Sequence, residues 1–378
     1  MLKEMADAKY KVLLAELKAE ILSGKYGHGQ KMPSESALVR RTGFSRITVS
    51  RALHELHVAG LVQRVAGSGT FAIGPGELHE KAFLFGLLMP ELGKTEILAP
   101  LCRAIADAPG AKAHALLWGN AGAGTPEQQT IALANQLIER GVDGVFFAPL
   151  EYGSNVHAIN RRVMRMLQKA KVAVVLVDRR IPGLPGRAWP DLAGLNHMHA
   201  ARQATEYLLQ RGCKRLAFVS NASTASSVTD RQAGFEQTIR EHKKAVAAKV
   251  FDLPSGSARL RRWLGNQAAG LVCVNDEVAG HVLRLLQALE IKVPGQVQVT
   301  GVDDAGYATM LSVPLTTVRQ PLAAIGEAAM QLMVERLTNL ARPGRALLLD
   351  GELIVRGTTA VHAIQPDAKH SKGRDPLR

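Results

Sequence analysis

The first 74 residues alternate apolar and polar positions at helical spacing. A first apolar seam recurs at i, i+3, i+4, i+7 and i+11 and predicts a helix that ends before Ser23-Gly24. Ser34 has the side chain of a helix N-cap, so a second, short helix is predicted to begin there and to end at Gly43. Ser45 caps a third predicted helix that reaches about residue 58. The seam of the first helix consists of Tyr10, Leu13, Leu14, Leu17 and Ile21.

The third predicted helix has an apolar face and a polar, basic face. Its inward positions are Val49, Ala52, Leu53 and Leu56, and its outward positions are Ile47, Ser50, Arg51 and His54, with Arg46 beside the first turn. Two short helices around a glycine-bearing turn form a helix-turn-helix, whose second helix presents its N-terminal residues to DNA base edges. The alternative is a plain amphipathic helix with a solvated basic face.

A small hairpin is predicted directly after this helix. Leu61-Val62 and residues 70–73 are typical of two short strands around the small residues 66–69. Such a wing would bring Arg64 and the glycine-bearing tip to a phosphate or to the minor groove.

From residue 82 the pattern changes to apolar runs that alternate with amphipathic helical stretches. The runs lie at 84–90, 113–118, 144–150, 172–178, 216–220, 270–275 and 297–302. This alternation predicts an α/β fold with parallel sheets covered on both faces. The length favours two lobes, with a ligand in the cleft at the carboxyl ends of the strands. Residues 75–81 are predicted to form a linker, and residues 365–378 a basic, flexible tail.

Charge and composition narrow the function. The chain has 378 residues and a formal net charge of +14, and residues 1–74 alone contain 11 Lys/Arg against 6 Asp/Glu. This balance suits duplex DNA. The cysteines Cys102, Cys213 and Cys273 are far apart, which indicates free thiols in a reducing compartment. The sequence contains neither a signal peptide nor a run of 18 apolar residues, so we expect a cytoplasmic protein without a membrane partner.

Polar residues at the predicted strand ends suggest the ligand. Asp178-Arg179, Asn275 and Asp303 directly follow or end apolar runs, Gln320 follows a late apolar segment, and Arg231 lies near the start of a helix. Carboxylates, amides and guanidinium groups together suit a polyhydroxyl ligand, because hydroxyls both donate and accept hydrogen bonds. The alternative is that these side chains only cap the helices that follow.

The N-terminal segment "KMPSESALVRRTGFSRITVSRALHELHVAGLVQRVAGSGTFAIG" resembles the winged helix-turn-helix of GntR-family transcription regulators. The resemblance implies that Ser34 and Glu35 set the register of the second helix at the DNA. That family often has Arg where this chain has Ser36, and we expect Arg51 to compensate. It further implies DNA contacts from the recognition helix and the wing tip, at Ser45, Arg46, Thr48, Ser50, Gly67 and Gly69.

The remainder resembles the effector-binding core of the lac-repressor family, which is similar to periplasmic sugar-binding proteins. The resemblance rests on "VVLVDRRIPG", "DRQAGF", "VNDEVAGHVLRLLQALEIKVPGQVQVTGVDD" and "VPLTTVRQPLAAIGEAA". The chain departs from the family at Met89-Pro90-Glu91 and at Asn196-His197. The resemblance implies a sugar site formed by Asp178, Arg179, Arg231, Asn275, Asp303 and Gln320.

These inferences together predict a transcriptional regulator, most simply a repressor of carbohydrate-utilisation genes that a sugar releases from its operator. We expect a winged helix-turn-helix at 1–74, a two-lobed periplasmic-binding-protein-like domain at 82–364, and a homodimer on a palindromic operator. The motifs of nucleotide-binding, metal-dependent and serine-nucleophile enzymes were not found, so we predict no catalytic residue, metal or cofactor. Two alternatives stay open: a non-sugar effector, and a core that only dimerises.

Overall fold

The structure is a computed structural model in which the chain forms two compact units, Met1–Ala82 and Phe83–Arg378. The residues that it describes are 2–27, 29–58, 61–65, 68–73, 82–93, 96–119, 124–153, 155–184, 190–221, 223, 225–242, 247–253, 257–265 and 268–359.

The first unit is a three-helix domain with a β-hairpin, as predicted. Its elements are α1 (Leu2–Leu22), α2 (Glu35–Thr42), α3 (Arg46–Val58), β1 (Val62–Val65) and β2 (Gly69–Ala72). The Ser34 hydroxyl accepts a hydrogen bond from the Ala37 amide at 3.2 Å, and Gly43 ends α2 with a φ of 68°. The predicted start and end of α2 are therefore both confirmed.

The core of the first unit lies between the three helices. The four predicted inward positions of α3 are fully buried against the apolar seam of α1, while Ile47 on the opposite face is 82% exposed. Strands β1 and β2 pair antiparallel, and Phe71 of β2 also forms a bridge with Lys31. Gly69 is required in β2 because its φ is 126° and a Cβ there would lie 2.8 Å from the Lys31 Cε.

The second unit is an α/β structure with two six-stranded sheets. The strand order of the first sheet is β13-β7-β6-β5-β3-β4, and all its neighbouring strands are parallel. Its strands are β3 (Leu84–Leu88), β4 (Ala115–Trp118), β5 (Gly144–Phe147), β6 (Ala173–Val177), β7 (Asp191–Leu195) and β13 (Ala346–Leu349). Helices α4 (Leu98–Asp107), α5 (Pro126–Glu139), α6 (Val156–Lys169) and α11 (Leu322–Thr338) cover this sheet and form the first lobe.

The second sheet has the order β14-β12-β11-β10-β8-β9, with β14 antiparallel at one edge. Its strands are β8 (Arg215–Asn221), β9 (Ala247–Leu253), β10 (Ala269–Cys273), β11 (Val297–Asp303), β12 (Thr316–Arg319) and β14 (Glu352–Ile354). The second lobe is completed by α7 (His197–Gln210), α8 (Ser226–Glu241), α9 (Ser257–Leu264) and α10 (Asp276–Ala288).

The chain passes between the lobes at residue 196, at 320–321 and at 350–351. Two of these crossings are hydrogen-bonded to each other, because the Asn196 amide Nδ2 donates to Asp350 Oδ1 at 3.0 Å. The carboxyl ends of both parallel sheets consequently face one cleft, as the alternating pattern predicted.

The sequence pattern did not identify five of the strands. β7, β9, β12, β13 and β14 lie outside the predicted apolar runs. β7 begins with Asp191, whose fully buried carboxylate binds Arg336 and Arg342 at 2.8 and 2.7 Å. A strand that starts with a charged residue and contains a glycine lacks a clear apolar pattern. Among the described residues, no helix is long and apolar enough to cross a membrane.

Candidate effector cleft and DNA-binding face

Polar side chains from both sheets meet at the cleft between the lobes. Each follows or ends a parallel strand, and the carboxyl ends of parallel strands lie at one edge of a sheet. The first lobe contributes Glu91, Glu151, Asp178 and Arg179, and the second contributes Asn221, Asn275, Asp303 and Gln320. Arg231 of α8 and His197 of α7 join them. The structure therefore brings together the predicted residues of the effector site.

Arg179 is the centre of a buried ion cluster in the first lobe. Its guanidinium group lies 2.8 Å from Asp178 Oδ2, 2.5 Å from Glu151 Oε2 and 3.6 Å from Glu91 Oε2. Burial alone would lower the pKa of Arg179, but the three carboxylates raise it. The Glu91 carboxylate also accepts hydrogen bonds from the backbone amides of Glu151 and Tyr152, which fixes the first lobe's side of the cleft.

Arg231 is the centre of a hydrogen-bond network in the second lobe, as Arg179 is the centre of the ion cluster in the first. Its Nε donates to His197 Nδ1 at 3.2 Å, one terminal nitrogen donates to the Val274 carbonyl at 2.7 Å, and the other lies 3.2 Å from Asp303 Oδ1. Gln320 donates to the same Asp303 oxygen at 2.8 Å. The four side chains form one connected network, and all of them are at least mostly buried.

A glycine in α8 allows this network to form. A Cβ on Gly234 would lie 2.2 Å from the backbone oxygen of Met198 in α7, so the two helices can touch only because this residue has no side chain. Arg231 lies one turn before Gly234 and therefore faces the same helix.

His197 joins the two lobes. Its Nε2 is 2.9 Å from the Asp178 backbone oxygen, across the cleft from Arg231. Burial and, after it, the charge of Arg231 lower the pKa of His197 to about 4. The ring is therefore neutral at pH 7, with Nδ1 accepting from Arg231 and Nε2 donating to Asp178.

Further hydrogen bonds connect the lobes at this cleft. Asn221 donates to the Tyr152 hydroxyl at 2.8 Å, and the Arg180 amide donates to the Ser226 hydroxyl at 2.9 Å. The walls of the cleft are thus in direct polar contact.

The two aspartates of the cleft have unusual backbone conformations. Asp178 has a φ of 67° and Asp303 a φ of 124°, and a positive φ is uncommon for residues other than glycine. Gly194 of β7 passes close to the first of them, since a Cβ there would lie 2.8 Å from the Asp178 backbone oxygen. Strain of this kind concentrates at functional sites.

The pKa values of the cleft carboxyl groups are shifted in different directions. Burial raises the pKa of Asp303, and the nearby Arg231 only partly offsets this effect. Burial acts the same way on Asp178, but Arg179 and its other neighbours bring the pKa of Asp178 below its usual value. Asp276 has a structural role, because it accepts hydrogen bonds from the Thr317 hydroxyl and the Ala305 amide.

Sequence reasoning missed four residues of the cleft, namely Glu91, Glu151, Asn221 and His197. Glu91 was noted only as a departure from the family, and Glu151 follows an apolar run whose end was not considered. Both could have been found by the strand-end rule. His197 begins a helix, and the sequence contains no signal that places it between Asp178 and Arg231. Asn275 was expected to bind the ligand, and its Oδ1 accepts from the Val278 amide at 2.9 Å as the cap of α10.

On the first unit, Glu35 connects the recognition helix to the wing. Its carboxylate lies 2.5 Å from the Arg64 guanidinium and 3.6 Å from that of Arg46. The Arg46 side chain is 79% exposed, and Arg64 is 37% exposed. These three predicted residues therefore form one charged surface.

The other predicted DNA contacts differ in exposure. Ser45 is exposed and its hydroxyl caps α3, whereas Thr48 is buried and bonds Ser45 Oγ at 2.8 Å. Ser50 is half-buried. Arg51 is exposed and its guanidinium lies over the Tyr10 ring at 4.0 Å. Gly67 lies outside the described residues.

Two family models match the chain in separate regions. Residues 9–72 match bacterial regulatory proteins of the gntR family, and residues 205–359 match a periplasmic binding protein-like domain. The order of the two domains agrees with the two units of the structure.

Curated relatives extend over nearly the whole chain. The HTH-type transcriptional regulator MalR of Streptomyces coelicolor is 26% identical over 85% of this chain and 95% of its own length. The arabinose metabolism transcriptional repressor of Geobacillus stearothermophilus is 25% identical over 95% of this chain and 99% of its own length.

Solved structures share the fold. A complex of the transcriptional regulator CelR with cellobiose has a TM-score of 0.62 and 21% identity, and covers 83% of this chain and 90% of its own. A LacI family transcriptional regulator from Enterococcus faecalis with bound ribose has a TM-score of 0.59 and 22% identity, over 75% of this chain and all of that one.

Proposed function

We propose that this chain, which joins a GntR-family DNA-binding domain to a periplasmic-binding-protein-like effector domain, is a sugar-responsive transcriptional repressor. The observation that carries the proposal is the buried polar network of the cleft, in which Asp178, His197, Arg231 and Asp303 connect the two lobes. A strained, polar and well-ordered network at the carboxyl ends of two parallel sheets suits a ligand rich in hydroxyl groups. The proposal includes no catalytic step.

The DNA-binding surface is proposed to consist of the start of α3, the start of α2 and the wing. Exposed Arg46 and Arg64 supply positive charge for phosphates or base edges, and Ile47 offers an exposed apolar group that suits a thymine methyl. Ser34 and Ser45 serve by capping helices whose N-termini would face the phosphates. A regulator that binds the chromosome in this way acts in the cytoplasm.

Regulation is proposed to follow from closure of the cleft. Two of the three crossings adjoin or contain residues of the network, since residue 196 precedes His197 and 320–321 includes Gln320. A ligand that rearranges these side chains therefore acts directly on the connections between the lobes. In a homodimer on a palindromic operator, this movement would change the separation of the two DNA-binding domains. Effector and operator binding are then reciprocally coupled.

The arabinose and ribose repressors among the relatives, and the cellobiose and ribose bound in the solved structures, support a sugar effector. The direct test is thermal unfolding of the full chain in the presence of individual sugars. A sugar at 100 times its dissociation constant should stabilise the protein by about 2.7 kcal/mol. The shift should disappear in Asp303→Ala, and the proposal is wrong if no sugar shifts the unfolding of the wild-type protein.

A further inference from the structure

The described side chains of the cleft contain more carboxylates than cations. Four carboxylates face two guanidinium groups, and the histidine among them is neutral at pH 7. The neighbouring Arg180 is ion-paired with Asp230 and leaves this balance unchanged. The carboxylates belong to Glu91, Glu151, Asp178 and Asp303, and the guanidinium groups to Arg179 and Arg231.

The two arginines are already engaged by the protein. All three nitrogens of Arg231 have partners, at His197, Val274 and Asp303. Arg179 lies among three carboxylates and is 3% exposed. An anionic ligand would therefore have to displace protein carboxylates to reach either cation.

Among the described residues of the cleft, the buried side-chain atoms without a hydrogen-bond partner are acceptors. Asp178 Oδ1 and Asn221 Oδ1 are buried and accept no hydrogen bond within the described part of the chain. Asp178 is 3% exposed, and His197 Nε2 lies 3.5 Å from this oxygen without forming a hydrogen bond to it. A buried acceptor without a donor costs free energy, and a ligand O–H or N–H group at this position would remove that cost.

We propose that the cleft selects donor-rich ligands that are neutral or positively charged and excludes sugar acids and sugar phosphates, with Glu151 as a residue that determines this specificity. The inference rests on the proposed sugar effector and deepens it. Glu151 is the carboxylate closest to Arg179, at 2.5 Å against 2.8 Å for Asp178, and it comes from a different strand end. Glu151 supplies negative charge to the cleft, and it is ion-paired with Arg179, the cation that an acidic sugar would need.

The test is isothermal titration of the full chain with sugars matched in ring structure and different in charge. The probes are arabinose with galacturonate, ribose with alluronate, cellobiose with cellobiouronate, and glucose with glucuronate, glucose 6-phosphate and glucosamine. We expect at least one neutral sugar to bind, and its anionic counterpart to bind at least about 100-fold more weakly, because like charges brought together at a binding site cost several kcal/mol.

Two variants test the role of Glu151. Glu151→Gln keeps an oxygen that can accept from Arg179, and it should reduce the gap between the neutral and the anionic sugar about tenfold. Glu327→Gln removes the same charge from an exposed position on α11, and should leave the gap as in the wild type.

The possible outcomes are distinct. An anionic sugar that binds the wild type as tightly as its neutral counterpart overturns the proposed charge selection but leaves the sugar effector standing. A gap that is unchanged in Glu151→Gln overturns the role of Glu151. If no probe of any charge binds, the sugar effector itself is wrong and this inference fails with it.

Discussion

Glu35 lies between two arginines of the DNA-binding surface, and its removal gives a quantitative test of that surface. The carboxylate holds Arg64 at 2.5 Å and Arg46 at 3.6 Å on the outside of the first unit. The side chains of both arginines are more than a third exposed, so each pair contributes only about 0.2–1 kcal/mol to stability. Glu35→Gln should therefore leave the fold intact and free positive charge for DNA.

The expected effect can be expressed as a salt dependence. Each additional phosphate that the protein neutralises steepens the plot of log affinity against log salt concentration by about 0.9. Between 50 and 200 mM salt, a variant with one freed guanidinium group should therefore lose about 3.5-fold more DNA affinity than the wild type loses. At the lower salt concentration the variant should bind non-specific DNA more tightly than the wild type.

The assay is fluorescence anisotropy with a labelled duplex of arbitrary sequence, repeated across this salt range. Glu55→Gln is the matched control, because Glu55 lies nine residues after Arg46 on α3, which places it on the opposite side of the helix. Both variants change the net charge equally. If Glu35→Gln and Glu55→Gln have the same salt dependence, Glu35 does not restrain arginines at the DNA, and the assignment of this surface is refuted.

Three further predictions concern the effector unit. Asp303→Asn should raise the melting temperature at pH 7.5, by about 1 kcal/mol in free energy, because the pKa of this carboxyl is raised by burial even beside Arg231, so its ionised form is costly in the folded protein. Arg231 keeps its bonds to His197 and to the Val274 carbonyl in this variant. That advantage should shrink as the pH falls through 6 and vanish at about pH 3, where the Asp303 carboxyl is neutral in both the folded and the unfolded protein. Sugar binding should be lost at every pH. Gly234→Ala should lower the stability in thermal unfolding by about 1–3 kcal/mol, because the added Cβ would lie 2.2 Å from the Met198 oxygen. The control is Gly280→Ala, which should be tolerated because its Cβ would lie 3.7 Å from the nearest neighbouring atom. Asp191→Asn should lower the free energy of unfolding in urea by about 3–5 kcal/mol, since it leaves two largely buried arginines without a counter-charge, and a loss below 1 kcal/mol would contradict this.

The fold was largely predictable where burial follows a local pattern. The helices of the first unit have a regular apolar seam and end at serine caps or glycines, so their boundaries could be read from neighbouring residues. The fully buried central strands, such as β5 and β6, are continuous apolar runs. Strand β13 escaped recognition although all its residues are apolar, because the run is only four residues long, and β14 because it has only three residues.

The candidate site was partly predictable for a topological reason. In a parallel sheet every strand end faces the same edge, so Asp178 could be placed at the cleft edge of one sheet and Asp303 at the cleft edge of the other without knowing the order of the strands. His197 could not be placed in this way, because it acts between the lobes and its position depends on where the chain crosses. Thr48 illustrates the reverse case: it matches the recognition-helix pattern, but its side chain is 8% exposed and bonds the Ser45 cap.

The central claim is that a ligand in the cleft controls DNA binding by the first unit. The most direct measurement begins with the selection of tightly bound duplexes from a random pool by the purified protein. The affinity for the selected sequence is then titrated with neutral sugars, for the wild type and for Asp303→Asn. The account predicts a palindromic sequence whose affinity falls when one of the sugars is added, and a variant that binds the same DNA without responding. A wild-type protein whose affinity for its selected DNA stays the same with every sugar, or a variant that responds as the wild type does, would contradict it.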